Sequence, residues 1–166
     1  KGEEHYNLIS ALHKSLRDSN PDAALYWLMR MIESGEDPKF IARRMCVFAS
    51  EDIGNADPQA IQIATAVAQA VDFVGLPEAQ INLAQGITYL ATAPKSNASY
   101  TAMLKAKEDA QKGSFGVPLH LRNAATSLMK KIGYGKGYQY AHDVPGKKPN
   151  QVHFPKEIGE KKYYNP

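Results

Sequence analysis

The sequence lacks most of what a secreted, membrane-bound or catalytic domain carries. A single cysteine, Cys46, excludes an internal disulfide and suits a reducing compartment. No apolar run approaches the roughly 20 residues of a membrane-spanning helix, and no signal sequence opens the chain. No membrane partner is therefore expected. No stretch of useful length alternates apolar and polar residues as a half-buried strand does. Val152-His153-Phe154 comes nearest and is too short to carry a sheet. The first residue is Lys1 rather than methionine, which leads us to expect a piece of a longer, cytoplasmic protein.

Catalytic patterns are equally scarce. The stretch Lys130–Asp143, "KKIGYGKGYQYAHD", places Gly133, Gly135 and Gly137 around Lys136. A phosphate loop needs G-x-x-x-x-G-K followed by Ser or Thr, after a strand. Here Lys136 is followed by Gly137, no hydroxyl is placed for magnesium, and the preceding segment reads as a helix. The dinucleotide fingerprint fails too, for want of its third glycine. Gly133 reads instead as a helix-terminating glycine. The histidines at 5, 13, 120, 142 and 153 include no pair at metal-ligand spacing on one helix. Cys46 sits between Met45 and Val47 and reads as a small core residue. Glu51 and Asp52 are neighbours on a helix, where side chains point about 100° apart, so a shared acid site is not expected. His142-Asp143 reads as a surface turn. The expectation is no catalytic, cofactor-binding or metal-binding residue in this chain.

What is present is helix punctuation. With 166 residues and 43% apolar content, the chain can bury one sizeable core. Tyr6, Ile9, Leu12 and Leu16 lie at helical spacing. Asn20-Pro21, Asp37-Pro38 and Asp57-Pro58 each place a capping side chain before a proline that loses nothing at the first helical position. Gly35, Gly54 and Gly75 close the same segments. Helices of about 13 to 17 residues are predicted from Pro21, Pro38 and Pro58. Another is predicted from Pro77, with Ile81, Ala84, Ile87 or Thr88, and Ala91 as its apolar stripe, ending at Pro94. Ser96 or Asn97 can cap a further helix to Gly113, and a last one fits between His120 and Ile132. The fold class is all-α: a bundle of about seven helices over residues 1–132, with an irregular arm over 133–166 packed on it.

Charge divides unevenly. Residues 130–166 hold 8 lysines against Asp143, Glu157 and Glu160, and five of the nine tyrosines, whereas the preceding residues are near neutral. Lys130, Lys131, Lys136, Lys147, Lys148, Lys161 and Lys162 stand among Tyr134, Tyr138, Tyr140, Tyr163 and Tyr164. Lysines neutralise phosphates and tyrosines stack on unpaired bases, so these lysines with Tyr138 are candidates for single-stranded DNA. The alternative is a solvated tail pinned to the helices by its tyrosines. Arg43-Arg44 and Lys14 with Arg17 could extend the basic surface.

Six ordered blocks are recognisable: "HYNLISALHKSLRDSNPDAALYWLMRM" (5–31), "ASEDIGNADP" (49–58), "LPEAQINLAQ" (76–85), "APKSN" (93–97), "PLHLRNA" (118–124) and "GYGKGYQYAHD" (133–143). Together they resemble the C-terminal part of the replication-associated recombination protein A family, AAA+ ATPases related to the Werner-helicase-interacting ATPase and, more distantly, to clamp-loader subunits. The family's Walker motifs, arginine finger and sensor residues belong to an upstream ATPase module, so they have no positions here, and ATP and magnesium would belong to that module. The resemblance implies a clamp-loader-like collar that joins subunits, with tetramers expected. It also implies a bacterial, nucleoid-associated setting, action on DNA at replication forks, and a link to single-strand-binding protein. Tyr26, Trp27, Met29, Arg30 and Met31 are of types enriched at interface cores, and so are the interface candidates. Their other role is the domain's own core.

Overall fold

The computed structural model describes residues 2–166, and every element among them is helical or irregular. Seven α-helices occur among the described residues: α1 (Gly2–Arg17), α2 (Pro21–Glu33), α3 (Pro38–Phe48), α4 (Gln59–Val74), α5 (Ala79–Thr92), α6 (Ala98–Ala110) and α7 (Ser127–Lys131). A π-helical turn, Ala49–Ile53, prolongs α3, and a 3₁₀ turn, Gly54–Ala56, follows it. The chain divides into two compact units. The first comprises residues 1–103 with 164–166, and the second comprises residues 104–163.

Capping chemistry sets the starts of the helices. The side chain of Asn20 accepts from the Ala23 amide at 3.0 Å, that of Asp37 from Lys39 at 2.9 Å, and that of Asp57 from Gln59 at 3.1 Å. Each such cap is worth about 1 kcal/mol. Ser96 accepts from Ala98 at the start of α6. At the end of α5, the Lys95 ammonium donates to the carbonyls of Ala91 and Ala93, which have no helical partner left. The glycine of "KKIGYG" also behaves as its sequence predicts. Gly133 has φ +100°, its amide donates to Lys130 O, and the next amide, of Tyr134, donates to Met129 O. That double return closes a helix C-terminus.

In the first unit α5 is the central helix, touching α1, α2, α3 and α4. It buries Ala79, Leu83, Gly86, Ile87, Leu90 and Ala91. This corrects the predicted stripe, because Ile81 is 73% exposed. Two buried faces, not one, fix the rotation of α5, and Gly86 lies between them. A Cβ at Gly86 would stand 2.5 Å from Met45 Cε of α3 and 2.9 Å from Val67 Cγ2 of α4. Around it the core is filled by Leu12, Leu16, Leu28, Met31, Ile41, Met45, Phe48 and Ile53. In α1 the buried stripe is Leu8, Leu12 and Leu16, whereas Tyr6 points outward, 71% exposed. α2 is apolar most of the way round because it packs on both α1 and α5.

The predicted helix over 120–132 is shorter than expected. Leu119–Leu121 forms a 3₁₀ turn, and α7 begins only at Ser127, with Thr126 accepting from the Met129 amide. Arg122 explains the break: its Nε donates to Val117 O at 2.7 Å and its Nη1 to the Tyr134 hydroxyl at 3.2 Å, which ties the backbone out of helical form.

Gly86→Leu is expected to lower stability by about 1–3 kcal/mol through overpacking. A urea midpoint unchanged from the parent would contradict this packing.

Candidate functional site

Two regions place chemically active side chains together, one in each unit. In the first unit, α1, α3 and the π-turn enclose a polar cluster. Arg17 Nε donates to Asp52 Oδ1 at 2.8 Å, and Arg17 Nη2 lies 3.6 Å from Glu51 Oε2. Glu51 and Asp52 therefore do share a partner, contrary to the expectation from ordinary helical geometry. The cause is the π-turn, whose i→i+5 bonding changes the angular spacing of neighbours, together with the reach of the arginine. Burial, and then the Asp52 charge beside it, raises the Glu51 carboxyl above the usual range.

His13, only 8% exposed, lies within the same cluster. Arg44 Nε donates to His13 Nε2 at 3.3 Å, a bond that only a neutral imidazole can accept. Burial, then Arg44 and Arg17, bring the His13 pKa from 6.5 down to about 4, against the opposing pull of Asp52. Arg17 is held by the two carboxylates although its side chain is 47% exposed, Arg44 reaches only the uncharged His13, and Arg43 and Lys14 are exposed. Nearer the start of α1, His5 pairs with Glu36, and its ring lies 4.9 Å from that of Phe40 and 5.4 Å from that of Tyr6.

The interface candidates fall into two groups. Met31 is fully buried in the core, as is the neighbouring Leu28, and Met29 packs against it. Tyr26, Trp27 and Arg30 form a surface ladder: the two aromatic rings meet edge to face at 4.9 Å, and the guanidinium stands 5.8 Å from the Trp27 ring centre. Sequence reasoning did not single out the corner between α4 and α5. It exposes Phe73 (90%), Val74, Leu76 and Ile81. The signal was legible in "DFVGLP", where apolar residues flank a glycine with no polar alternation. Cys46 is half-buried, and it lines a largely apolar groove with Val47, Tyr100 and Met103.

In the second unit all eight nucleic-acid candidates are exposed: Lys130, Lys131, Lys136, Tyr138, Lys147, Lys148, Lys161 and Lys162. Among the described residues none of these lysines is held in an ion pair. Their backbone is nevertheless well tied. The Gly135 amide donates to Leu119 O, the Arg122 guanidinium lies over the Tyr134 ring at 5.1 Å, and His120 Nε2 donates to Val152 O. Gln139 and Gln151 bond reciprocally through side chain and backbone. Tyr163 donates to Asp109, which holds its phenol pKa up near 12, and its ring meets that of Phe154. Among the described residues no group of His, Cys, Asp and Glu could hold a metal ion, and no helix is long and apolar enough to cross a membrane.

The fold is all-helical, with a lysine-bearing segment tied down at its C-terminal end. A family model described as MgsA AAA+ ATPase C terminal matches residues 18–166, and the chain belongs to that family. It is 53% identical over its whole length to Replication-associated recombination protein A of Escherichia coli (strain K12), of which it covers 38%. It is 40% identical to the protein of the same name from Bacillus subtilis (strain 168), with 99% of the chain and 39% of that protein aligned. It is also 46% identical to ATPase WRNIP1 of Dictyostelium discoideum, with 98% of the chain and 19% of that protein aligned. The chain thus spans well under half the length of these relatives.

The depressed His13 pKa has a signed consequence. The unfolded chain takes up a proton near pH 6.5 and the folded chain only near 4, so stability is complete above 6.5 and is lost as pH falls towards 4. About 2 kcal/mol should disappear between pH 7 and pH 5. The raised Glu51 carboxyl acts in the opposite sense, so the comparison is with His13→Gln, whose pH profile should be flatter by about that amount. Equal slopes in urea titrations of the two proteins would refute the assignment.

Proposed function

We propose that this chain is the oligomerisation region, of tetrameric collar type, of a cytoplasmic AAA+ ATPase that acts on DNA at replication forks in recombination and repair. The ATP and magnesium chemistry belongs to a part of the polypeptide outside these residues. What carries the reading is the apolar corner of the first unit. Phe73 and Ile81 are 90% and 73% exposed, with Val74 and Leu76 between them, a cluster of large apolar side chains that a lone soluble chain rarely leaves in water. The Tyr26–Trp27–Arg30 ladder offers a second surface of residue types enriched at interfaces. The names of the relatives support the replication and recombination setting.

Light scattering at micromolar concentration is expected to give a multimer that Phe73→Asp and Ile81→Asp convert to monomer with the helical circular dichroism unchanged. A particle that is monomeric throughout the range would end this reading.

A second reading has its own observation: the second unit presents seven exposed lysines that form no ion pair among the described residues, and Tyr138 is half exposed in the same unit. This surface suits single-stranded DNA, and single-strand-binding protein at the same forks would be a neighbouring partner. Binding should weaken with salt at a log–log slope of about −0.7 per phosphate neutralised. Neutralising Lys147 and Lys148 together should reduce that slope by about 1.4. An unchanged slope, or no binding at about 50 mM salt, would refute it.

A further inference from the structure

Between α1 and α3 the first unit has a groove of about 530 Å³, a size usual for small-ligand sites. Its two ends differ in chemistry. At one end Tyr6 stands exposed beside the His5–Phe40 ring pair. At the other end Lys14, Arg17 and Arg44 face Glu51, with Asp52 behind Arg17. Arg17 is taken up by those two carboxylates. Arg44 donates to the uncharged His13, and among the described residues neither Arg44 nor Lys14 has a carboxylate within ion-pair distance. Two cations are therefore free to meet an anion.

The buried imidazole is the second observation. Because His13 Nε2 accepts from Arg44, its proton sits on Nδ1. Most of the ring is buried, but no buried side-chain nitrogen among the described residues lacks a partner, so that Nδ1–H meets solvent where His13 lines the groove. An oxyanion in the groove could accept from it. Tyr6 precedes His13 by seven residues along α1, a rise of about 10 Å, which a base with an extended phosphate chain covers.

We infer that the α1–α3 groove binds a nucleotide, its phosphate held by Lys14, Arg44 and the Nδ1–H of His13, and its base stacked on Tyr6. The shared chemistry is a phosphate attached to a stacking base, supplied either by a free nucleoside diphosphate or by the 5′-phosphate end of a strand. The groove shares no residue with the α4–α5 corner or with the candidate lysines of the second unit, so its test is independent of both readings above.

Fluorescence anisotropy with a 3′-labelled oligothymidylate ending in 5′-phosphate or 5′-hydroxyl, together with calorimetry of ADP and of adenosine, distinguishes the sources. Measurement at about 150 mM salt screens surface lysines. Lys14→Ala and Tyr6→Ala alter exposed side chains and leave the core intact. Each is expected to weaken binding about tenfold, within the range of one stacked base. ADP binding with no preference between strand ends assigns the groove to free nucleotide, and a preference for the 5′-phosphate end without ADP binding assigns it to strand termini. Binding of both by the same residues also supports the inference. It is overturned if neither probe saturates at millimolar concentration, if adenosine binds as well as ADP, or if either variant binds like the parent.

Discussion

The close approach at Gly86 is the constraint on which the first unit depends. α5 meets four other helices, and a helix can do so only where its surface is small enough for neighbours to approach on more than one side. Gly86 provides that space between Met45 and Val67, and Ala79 and Ala91 extend it along the helix. With α5 seated, Leu83, Ile87 and Leu90 reach the layer formed by Leu12, Leu28, Met31 and Phe48. The rotation that buries these residues also turns Ile81 outward. The exposed corner is thus a consequence of the core's geometry, and not a loose end of it.

The second unit is held by different means. It buries few apolar side chains, so its order rests on directional bonds: Arg122 to Val117 and Tyr134, Tyr163 to Asp109, and the paired glutamines 139 and 151. Such bonds contribute only about 0.5–1.5 kcal/mol each, which makes this unit more dependent on each single contact than the first. It also leaves lysines at the surface without partners.

The all-α class and the starts of α2, α3 and α4 were legible because capping and proline placement are local rules, visible in "NP" and "DP" before a helix. The exit at Gly133 was legible for the same reason. Helix rotation was less so. In α1 and α5 more than one set of apolar residues has helical spacing, and only tertiary packing chooses Leu8 over Tyr6 and Leu83 over Ile81. The break near 122 was hidden because it depends on a bond from Arg122 to a tyrosine twelve residues away. The cluster of Arg17, Asp52 and His13 joins elements separated by 31 to 35 positions. No spacing rule within one helix could have found it.

That cluster also separates two reasons for burying charge. In Arg17–Asp52 only the carboxylate is buried, the guanidinium being about half exposed, and a half-screened pair is weak evidence for stability. The addition of His13 and Arg44 is harder to explain as structure, because a neutral imidazole beside two guanidinium groups gains no Coulomb energy. Packing alone would favour a leucine there, as at Leu12 and Leu16 beside it. A π-turn carrying two carboxylates beside this imidazole adds to the same point, since such turns recur at functional sites. The arrangement makes sense if the unspent cations at the groove have a ligand. The α1–α3 face would then sense a small anion, while the α4–α5 corner, which shares no residue with that groove, remains free to join copies of the proposed motor.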